Sequence, residues 1–317
     1  MKRLRTLSFA VFGLASCLAG AQSDRYPETL SFSESPIGAE LSMIKVDGGT
    51  FLMGSQREDA SKPNYNPDLS LNYSAESPVH SVDVETFYIA RFETTRELWA
   101  DLMGGFVPYD SSDCAQGSVS FKAAMLLVNA ANNAFAHKMP KGSFFDLPTE
   151  EQWEYAARGG RDDTFAFAGS NDPDSVAVWG GATEIPGPVA SLKPNSLGIF
   201  DMSGNAAEWT KSYYSSSYGA TLDYKFRVIR GGGVHTRPGR KPDLRVSARS
   251  RDIERMGMKY YGVRLVLNVP AIENPPTAVG ETSAPAYAPP RLVIRGGKLC
   301  VIGADGQVFD LGGSRLR

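Results

Sequence analysis

Apolar and polar residues alternate over Ile44-Lys45-Val46 and stop at Gly48-Gly49, a period of two bounded by glycine that predicts a strand and a turn. Residues 81–89 alternate again, and the Asn-, Ser-, Pro- and Asp-rich stretch 56–78 between them predicts a surface loop. Helical spacing follows at 93–103 and 121–136. The sharpest helix start is Thr149-Glu150-Glu151-Gln152. It is a capping box: the Thr149 hydroxyl accepts from the Gln152 amide while the Gln152 side chain reaches back, turning Trp153 and Ala156 inward until Gly159-Gly160 ends the helix. From 165 to 267 the pattern is short strands and long loops, dense in Gly, Asn and aromatic residues.

These patterns place a compact domain at 43–268, preceded by a polar lead-in at 22–42. Residues 269–291 hold six prolines among small residues and predict an extended linker with no core. The last stretch, 292–317, carries strand-like runs at Leu292-Val-Ile, Leu299-Cys-Val-Ile and Val308-Phe-Asp-Leu, too little for a stable domain by itself.

The first 21 residues read as an export signal, with Lys2, Arg3 and Arg5 ahead of an apolar run at 7–14. Two processing chemistries stay open. Leu14-Ala15-Ser16-Cys17 resembles a bacterial lipobox, which would anchor the protein through lipid on Cys17, whereas Ala19-Gly20-Ala21 suits ordinary cleavage before Gln22. Either route leads to an extracytoplasmic protein: secreted, periplasmic or on the outer surface. No other apolar run reaches membrane-spanning length. A net charge of -2 over 317 residues disfavours nucleic acid as a partner and leaves the membrane only through Cys17. Cys114 and Cys300 remain after processing, as one disulfide or as two free thiols, and the count excludes a four-cysteine zinc site.

Seven motifs in collinear order resemble the formylglycine-generating enzyme (sulfatase-modifying factor) family. They are Gly48-Gly49-Thr-Phe-Leu-Met-Gly54; Pro78-Val-His80 leading to Phe87-Tyr-Ile; Leu147-Pro-Thr-Glu-Glu-Gln-Trp-Glu-Tyr-Ala-Ala-Arg158; Pro194-Asn-Ser-Leu-Gly-Ile-Phe-Asp-Met-Ser-Gly-Asn-Ala-Ala-Glu-Trp209; Arg227-Val-Ile-Arg-Gly-Gly232; Ser247-Ala-Arg-Ser250; and Gly262-Val-Arg-Leu265. The resemblance implies an α+β, modified C-type-lectin-like fold with small antiparallel sheets, two main helices and much irregular loop.

It also implies a chemistry that this chain is not equipped to perform. Members that generate formylglycine hold copper(I) on two cysteine thiolates, because a soft ion selects soft sulfur. Those two positions fall on Thr236 and Lys241 here, and the serine expected after the double glycine is Gly233. A neutral hydroxyl and a protonated amine do not replace two thiolates, so no copper is expected and no catalytic residue is assigned. An iron-dependent branch of the family uses histidines from an extra helical domain. This chain has no such domain, and its three histidines are His80, His137 and His235.

The segment from Asp201 to Glu208 resembles the family's calcium loop. The resemblance makes Asp201, Gly204, Ala206 and Glu208 the ligands, two carboxylates and two carbonyls, a hard oxygen set of the kind calcium takes. The alternative is a metal-free loop held by Asp and Asn side-chain turns. Ala207 stands where the family usually has a bulky aromatic. A second family calcium site would fall near 174–186, where no ligand set aligns.

Arginines crowd 227–255. They offer an anion-binding face for an acidic glycan, or else brace loops internally. His235, Arg237, Arg240, Tyr213 and Tyr214 are the candidate ligand face. The expectation is therefore an exported, non-catalytic binding or structural module of the bacterial envelope, with an envelope protein or glycan as partner. The alternative is an enzyme with non-copper chemistry around Thr236 and Lys241, which a buried, perturbed Lys241 would favour and a solvated one would not.

Overall fold

The computed structural model describes residues 26–33, 38–67, 73–160, 163–271, 291–295, 298–302, 308–310 and 315–316. The export segment with Cys17, and residues 272–290 of the proline-rich linker, lie outside these. Residues up to Ala271 form one compact unit and those from Ile272 a second. In chain order the first unit contains β1 (Thr29–Phe32), β2 (Leu41–Val46), β3 (Gly49–Met53), β4 (His80–Val84), β5 (Phe87–Ala90), α1 (Arg96–Met103) and α2 (Phe121–Phe135). After them come β6 (Phe144–Asp146), α3 (Glu150–Ala157), β7 (Ala207–Ser215), β8 (Leu222–Arg230), β9 (Ser250–Asp252), β10 (Tyr261–Gly262) and β11 (Val266–Asn268).

Three small sheets organise the unit. The first has the order β1-β2-β5-β11-β6, so β11, from the end of the domain, lies between strands from its beginning and middle. The second, β10-β7-β8-β9, is antiparallel except where Tyr261 pairs parallel with Ala207. The third is the hairpin β3-β4. One face of α3 packs Trp153, Tyr155 and Ala156 against Val46, Phe51, Met53, Ile89, Met202 and Val266 in a shared core. At the α3 start the capping box forms as read: Thr149 Oγ1 accepts from Gln152 N at 3.2 Å and Gln152 Oε1 from Thr149 N at 3.0 Å.

Two expectations need correction. The domain starts before residue 43: Thr29–Phe32 pairs with β2, with Tyr26 and Phe32 buried, so part of the stretch read as lead-in is an edge of the first sheet. Only every second side chain of that short strand is apolar, a signal too weak to separate from a polar loop. The described residues hold three α-helices, one of 15 residues and two of 8, at the three places where helical spacing and the capping box put them. The first begins at Arg96 and not at 93, because Thr95 is its cap and accepts from Leu98 N at 3.2 Å.

Buried ion pairs lock these layers together. Glu154, fully enclosed on α3, meets Arg230 at the end of β8 and Arg158 Nη2 at 2.8 Å, and it accepts from Gly54 N at 2.9 Å. Glu150, one turn earlier, binds Arg249, with Nη2 to Oε2 at 2.8 Å. Arg245 forks onto Glu76 at 2.9 and 3.0 Å, and Arg264 pairs with Glu208 at 2.7 Å. Of the eight arginines crowded into 227–255, Arg230, Arg245 and Arg249 are thus buried internal braces, while Arg237, Arg251 and Arg255 are exposed. Burial opposes the charge on Glu154, but Arg158 and Arg230 outweigh it and hold its carboxyl below the usual carboxylate range.

In the second unit, four strands form an antiparallel meander: β12 (Arg291–Arg295), β13 (Lys298–Ile302), β14 (Val308–Asp310) and β15 (Arg315–Leu316). The first three fall on the strand-like runs of the sequence, whereas β15 lies beyond them.

Removing one member of a buried pair strands the other charge, which costs about 3–5 kcal/mol. Arg264→Ala, which leaves Glu208 without its arginine, is expected to lower the urea unfolding free energy by that amount, and exposed Arg255→Ala by less than about 0.5 kcal/mol. Because the Glu154 carboxyl is depressed in the folded state, its contribution is complete above the unfolded carboxylate range and fades as pH falls through the folded value. Glu154→Gln should therefore flatten the acid limb of the stability curve; an unchanged limb would contradict this assignment.

Candidate functional site

Beyond β8 the chain turns through Gly231 and Gly232, then folds back over β7. Val234 N donates to Asn205 O at 2.9 Å, and Thr236 closes the turn with its Oγ1 accepting from Gly233 N at 3.2 Å. Gly233 leaves no space for the serine that the family resemblance would place there. A Cβ would lie 2.9 Å from Asn205 O and 3.1 Å from His235 Nδ1. A cleft of about 340 Å³ opens beside this turn, with Thr236, Ala207 and Ala248 among the small residues lining it. The His235 ring stacks flat on Tyr260, centroids 3.4 Å apart and planes 11° from parallel. Arg237 and Arg240 also line the cleft; Arg240 Nε binds Asp243 at 2.7 Å, while Arg237 is exposed.

Thr236 and Lys241 do not share this cleft. Thr236 is buried with its hydroxyl committed to the turn. Lys241 lies on the short turn Pro238–Leu244, half-exposed, with Nζ 4.6 Å from the Trp179 ring centroid and 4.0 Å from Asp174, and it lines a separate, larger cleft. The candidate ligand face also divides. His235, Arg237 and Arg240 come together, but Tyr213 and Tyr214 on β7 are not among the cleft-lining residues. Tyr213 covers the Arg227 guanidinium at 3.5 Å, and Tyr214 is buried under Arg251 at 4.4 Å. Guanidinium stacking takes up both rings, a pairing across the sheet, from β8 for Tyr213 and from β9 for Tyr214, that linear spacing does not display.

The remaining histidines are structural or peripheral. His80 packs on Tyr218 with Nδ1 3.0 Å from Pro78 O, and His137 is exposed. Cys114 is a half-buried free thiol whose protonation burial favours. Cys300 lies on β13 in the second unit.

The loop from Asp201 to Glu208 makes a sharp turn with Gly204 at φ +90°, where a Cβ would lie 2.6 Å from Val178 O. Asp201 Oδ2 accepts from Ala190 N at 2.7 Å; both Glu208 oxygens accept, from Arg264 Nη2 at 2.7 Å and from Trp153 Nε1 at 2.7 Å. Sequence reading missed a third carboxylate here. Glu93 is buried just before α1 and accepts from Ala206 N at 2.7 Å and from the Asn205 amide. Recognising Thr95 as a helix cap would have released Glu93 from the helix. Burial, then Asp201 and Glu208, push the Glu93 carboxyl well above its usual range. Glu93, Asp201 and Glu208 thus act electrostatically on one another, and Arg264, paired with Glu208, offsets them. Among the described residues no group of three or more His, Cys, Asp or Glu side chains is placed to hold a metal ion by itself, so backbone carbonyls would have to complete any such set.

A model of the sulfatase-modifying factor enzyme 1-like domain matches residues 30–269. The chain belongs to this family, and its fold is the family's α+β, C-type-lectin-like one. The chaperone protein LppX of Paenibacillus barcinonensis is 30% identical over 238 residues, covering 60% of this chain and 78% of that protein. The inactive C-alpha-formylglycine-generating enzyme 2 of Bos taurus is 32% identical over 125 residues, 31% of this chain and 39% of that protein. Of the solved structures, Treponema denticola variable protein 1 superposes with a TM-score of 0.61 at 21% identity, covering 76% of this chain and 99% of its own. PvdO from Pseudomonas aeruginosa gives 0.58 at 21%, covering 77% and 100%. At that identity the two structures support the fold alone. No described helix is long and apolar enough to cross a membrane.

His235 carries a pH signature. Burial pushes its imidazole below the usual 6.5, against the pull of Glu184 and Asp243. A depressed histidine contributes stability that is complete above the unfolded value and lost as pH falls through the folded one. His235→Gln should therefore reduce the loss of stability on acidification below about pH 6.5. Equal pH slopes for the two proteins in thermal denaturation would refute this.

Proposed function

We propose that this protein is a non-catalytic sulfatase-modifying-factor module of the bacterial envelope, which engages a partner through the cleft around His235, Arg237 and Arg240. The observation that carries this is the fate of the two copper-ligand positions. Thr236 is locked into a turn, and Lys241 is half-exposed beside Trp179 in another cleft, so neither sulfur nor a convergent pair stands where the family's oxidation would occur. A half-exposed Lys241 also argues against the alternative of a lysine-based enzyme. Names borne by relatives, one a chaperone and one an inactive enzyme, agree with a binding role. The basic segment at 2–5, the apolar run after it and Cys17 support export, by secretion or by lipid anchoring.

Calcium belongs to the same reading. Asp201 and Glu208 would supply carboxylates and Gly204 and Ala206 carbonyls, with the Glu93 carboxyl beside them. The ion would stabilise the loop under the cleft rather than take part in chemistry.

Two measurements test the reading. Purified protein loaded with copper(I) and given a cysteine-containing sulfatase peptide with oxygen is expected to form no formylglycine and to consume no oxygen; turnover would refute the non-catalytic reading. Calcium at a hundredfold excess over its Kd is expected to add about 2.7 kcal/mol of stability. Asp201→Asn should abolish most of that gain, and a variant stabilised as strongly as the parent would remove Asp201 from the site.

A further inference from the structure

We propose that the larger cleft, which Lys241 borders, binds a neutral saccharide chain. It measures about 1090 Å³, slightly above the usual range for ligand-enclosing sites, and it is distinct from the cleft of His235. The outward face of the β3–β4 hairpin supplies one wall through Leu52 and Ser81, since alternation sends Phe51 and Met53 into the core. Tyr65 and Phe165 supply aromatic surface, 39% and 38% exposed on the loop after β3 and the turn after α3. Exposed rings beside a cleft are large apolar groups left in water, and they gain by covering an apolar face.

The Tyr65 loop is held in shape before any ligand arrives. Asn64 Nδ2 donates to Leu52 O at 2.6 Å and to Gly54 O at 2.9 Å. Gln56 Nε2 donates to Asp59 O at 2.8 Å, while its Oε1 accepts from the Glu58 and Asp59 amides, each at 3.0 Å. A wall fixed in this way costs little ordering on binding.

Three observations select the ligand chemistry. First, the charged groups around the cleft already have partners: Arg158 with Glu154, Arg245 with Glu76, Lys241 with Asp174 and Trp179, and Asp163 with the Ser196 hydroxyl at 2.8 Å. The two guanidinium groups are therefore closed to an anion, and the charges that remain among the described residues, Lys241 and Asp163, are of opposite sign and give the cleft no net pull on an ionic ligand. Second, the carbonyls of Leu52 and Gly54 along β3 accept from Asn64, and Gly54 also from Arg158 at 3.0 Å. An extended peptide seeking to add a strand there finds those acceptors occupied. Third, the polar groups left over are neutral: the hydroxyls of Ser81 and Thr164 carry no partner among the described residues, and Asn171 spends its Oδ1 on Ala166 N, leaving its amide nitrogen. Flat rings beside hydroxyls and an amide match a pyranose chain, with its apolar C–H faces and its fringe of neutral hydroxyls.

Isothermal titration of the full chain with maltohexaose, cellohexaose, mannohexaose and hexa-N-acetylchitohexaose tests this. At least one is expected to bind at one site per chain. Tyr65→Ala and Phe165→Ala should each weaken it about tenfold at an unchanged melting temperature. His235→Ala should leave it unaltered, so that failure here and failure of the partner-binding cleft can be told apart. Retention on the matching insoluble polymer would assign a surface glycan, and binding of the free oligomer alone a soluble one; both support the proposal. No binding at millimolar concentration, or binding indifferent to Tyr65 and Phe165, would overturn it. So would a uronic-acid hexasaccharide or a proline-rich peptide that binds through those residues in place of a neutral chain.

Discussion

The buried pairing of glutamate with arginine is the constraint on which the rest of this fold depends. Small sheets and long loops leave few continuous apolar faces, so the layers need another way to fix their mutual position. The two carboxylates on α3 provide it: Glu150 reaches Arg249 beside β9, and Glu154 reaches Arg230 at the end of β8 and Arg158 at the end of its own helix. Each guanidinium also donates to backbone carbonyls, Arg230 to Ala248 O at 2.7 Å and Arg264 to Ala90 O at 3.0 Å. A buried pair seldom adds much net stability compared with a well-packed apolar replacement, but it tolerates no half-measure, because a lone buried charge is so costly. Such pairs therefore specify which loop lies on which helix.

That arrangement separates the scaffold from the chemistry. None of the five locking arginines pairs with the side chain at 236 or 241. Both positions can change without stranding a buried charge, and the turn around Thr236 closes with an ordinary hydroxyl-to-amide bond. Loss of a thiolate pair is accordingly compatible with an intact domain, and function can pass to the surfaces that the loops enclose.

The sequence disclosed the fold well where the signal was local or collinear. The capping box at Thr149, the strand at 44–46 and the helix at 121–136 all depend on neighbours within a few residues, and the family motifs preserve their order over most of the chain. What stayed hidden was partnership across the sheets. Tyr213 and Tyr214 looked like binding residues because nothing in their spacing announces Arg227 and Arg251 lying over them. Glu93 looked like a helix residue because its true partner, the Ala206 amide, is 113 positions away. The strand at 29–32 was too short and too polar to stand out before its pairing with β2 was known.

The two clefts follow from the same accounting of charge. Around His235 the exposed Arg237 keeps cationic character available to a partner, while the stacked Tyr260 supplies a flat wall. Around Tyr65 and Phe165 the internal braces have consumed the arginine charge: Arg158 and Arg245 border the cleft, yet their guanidinium groups serve Glu154 and Glu76 behind it. An arginine committed to a buried carboxylate contributes rigidity to a cleft and no pull on an anion. The residue types lining a surface therefore do not by themselves state its ligand chemistry; the partners those residues already hold decide it.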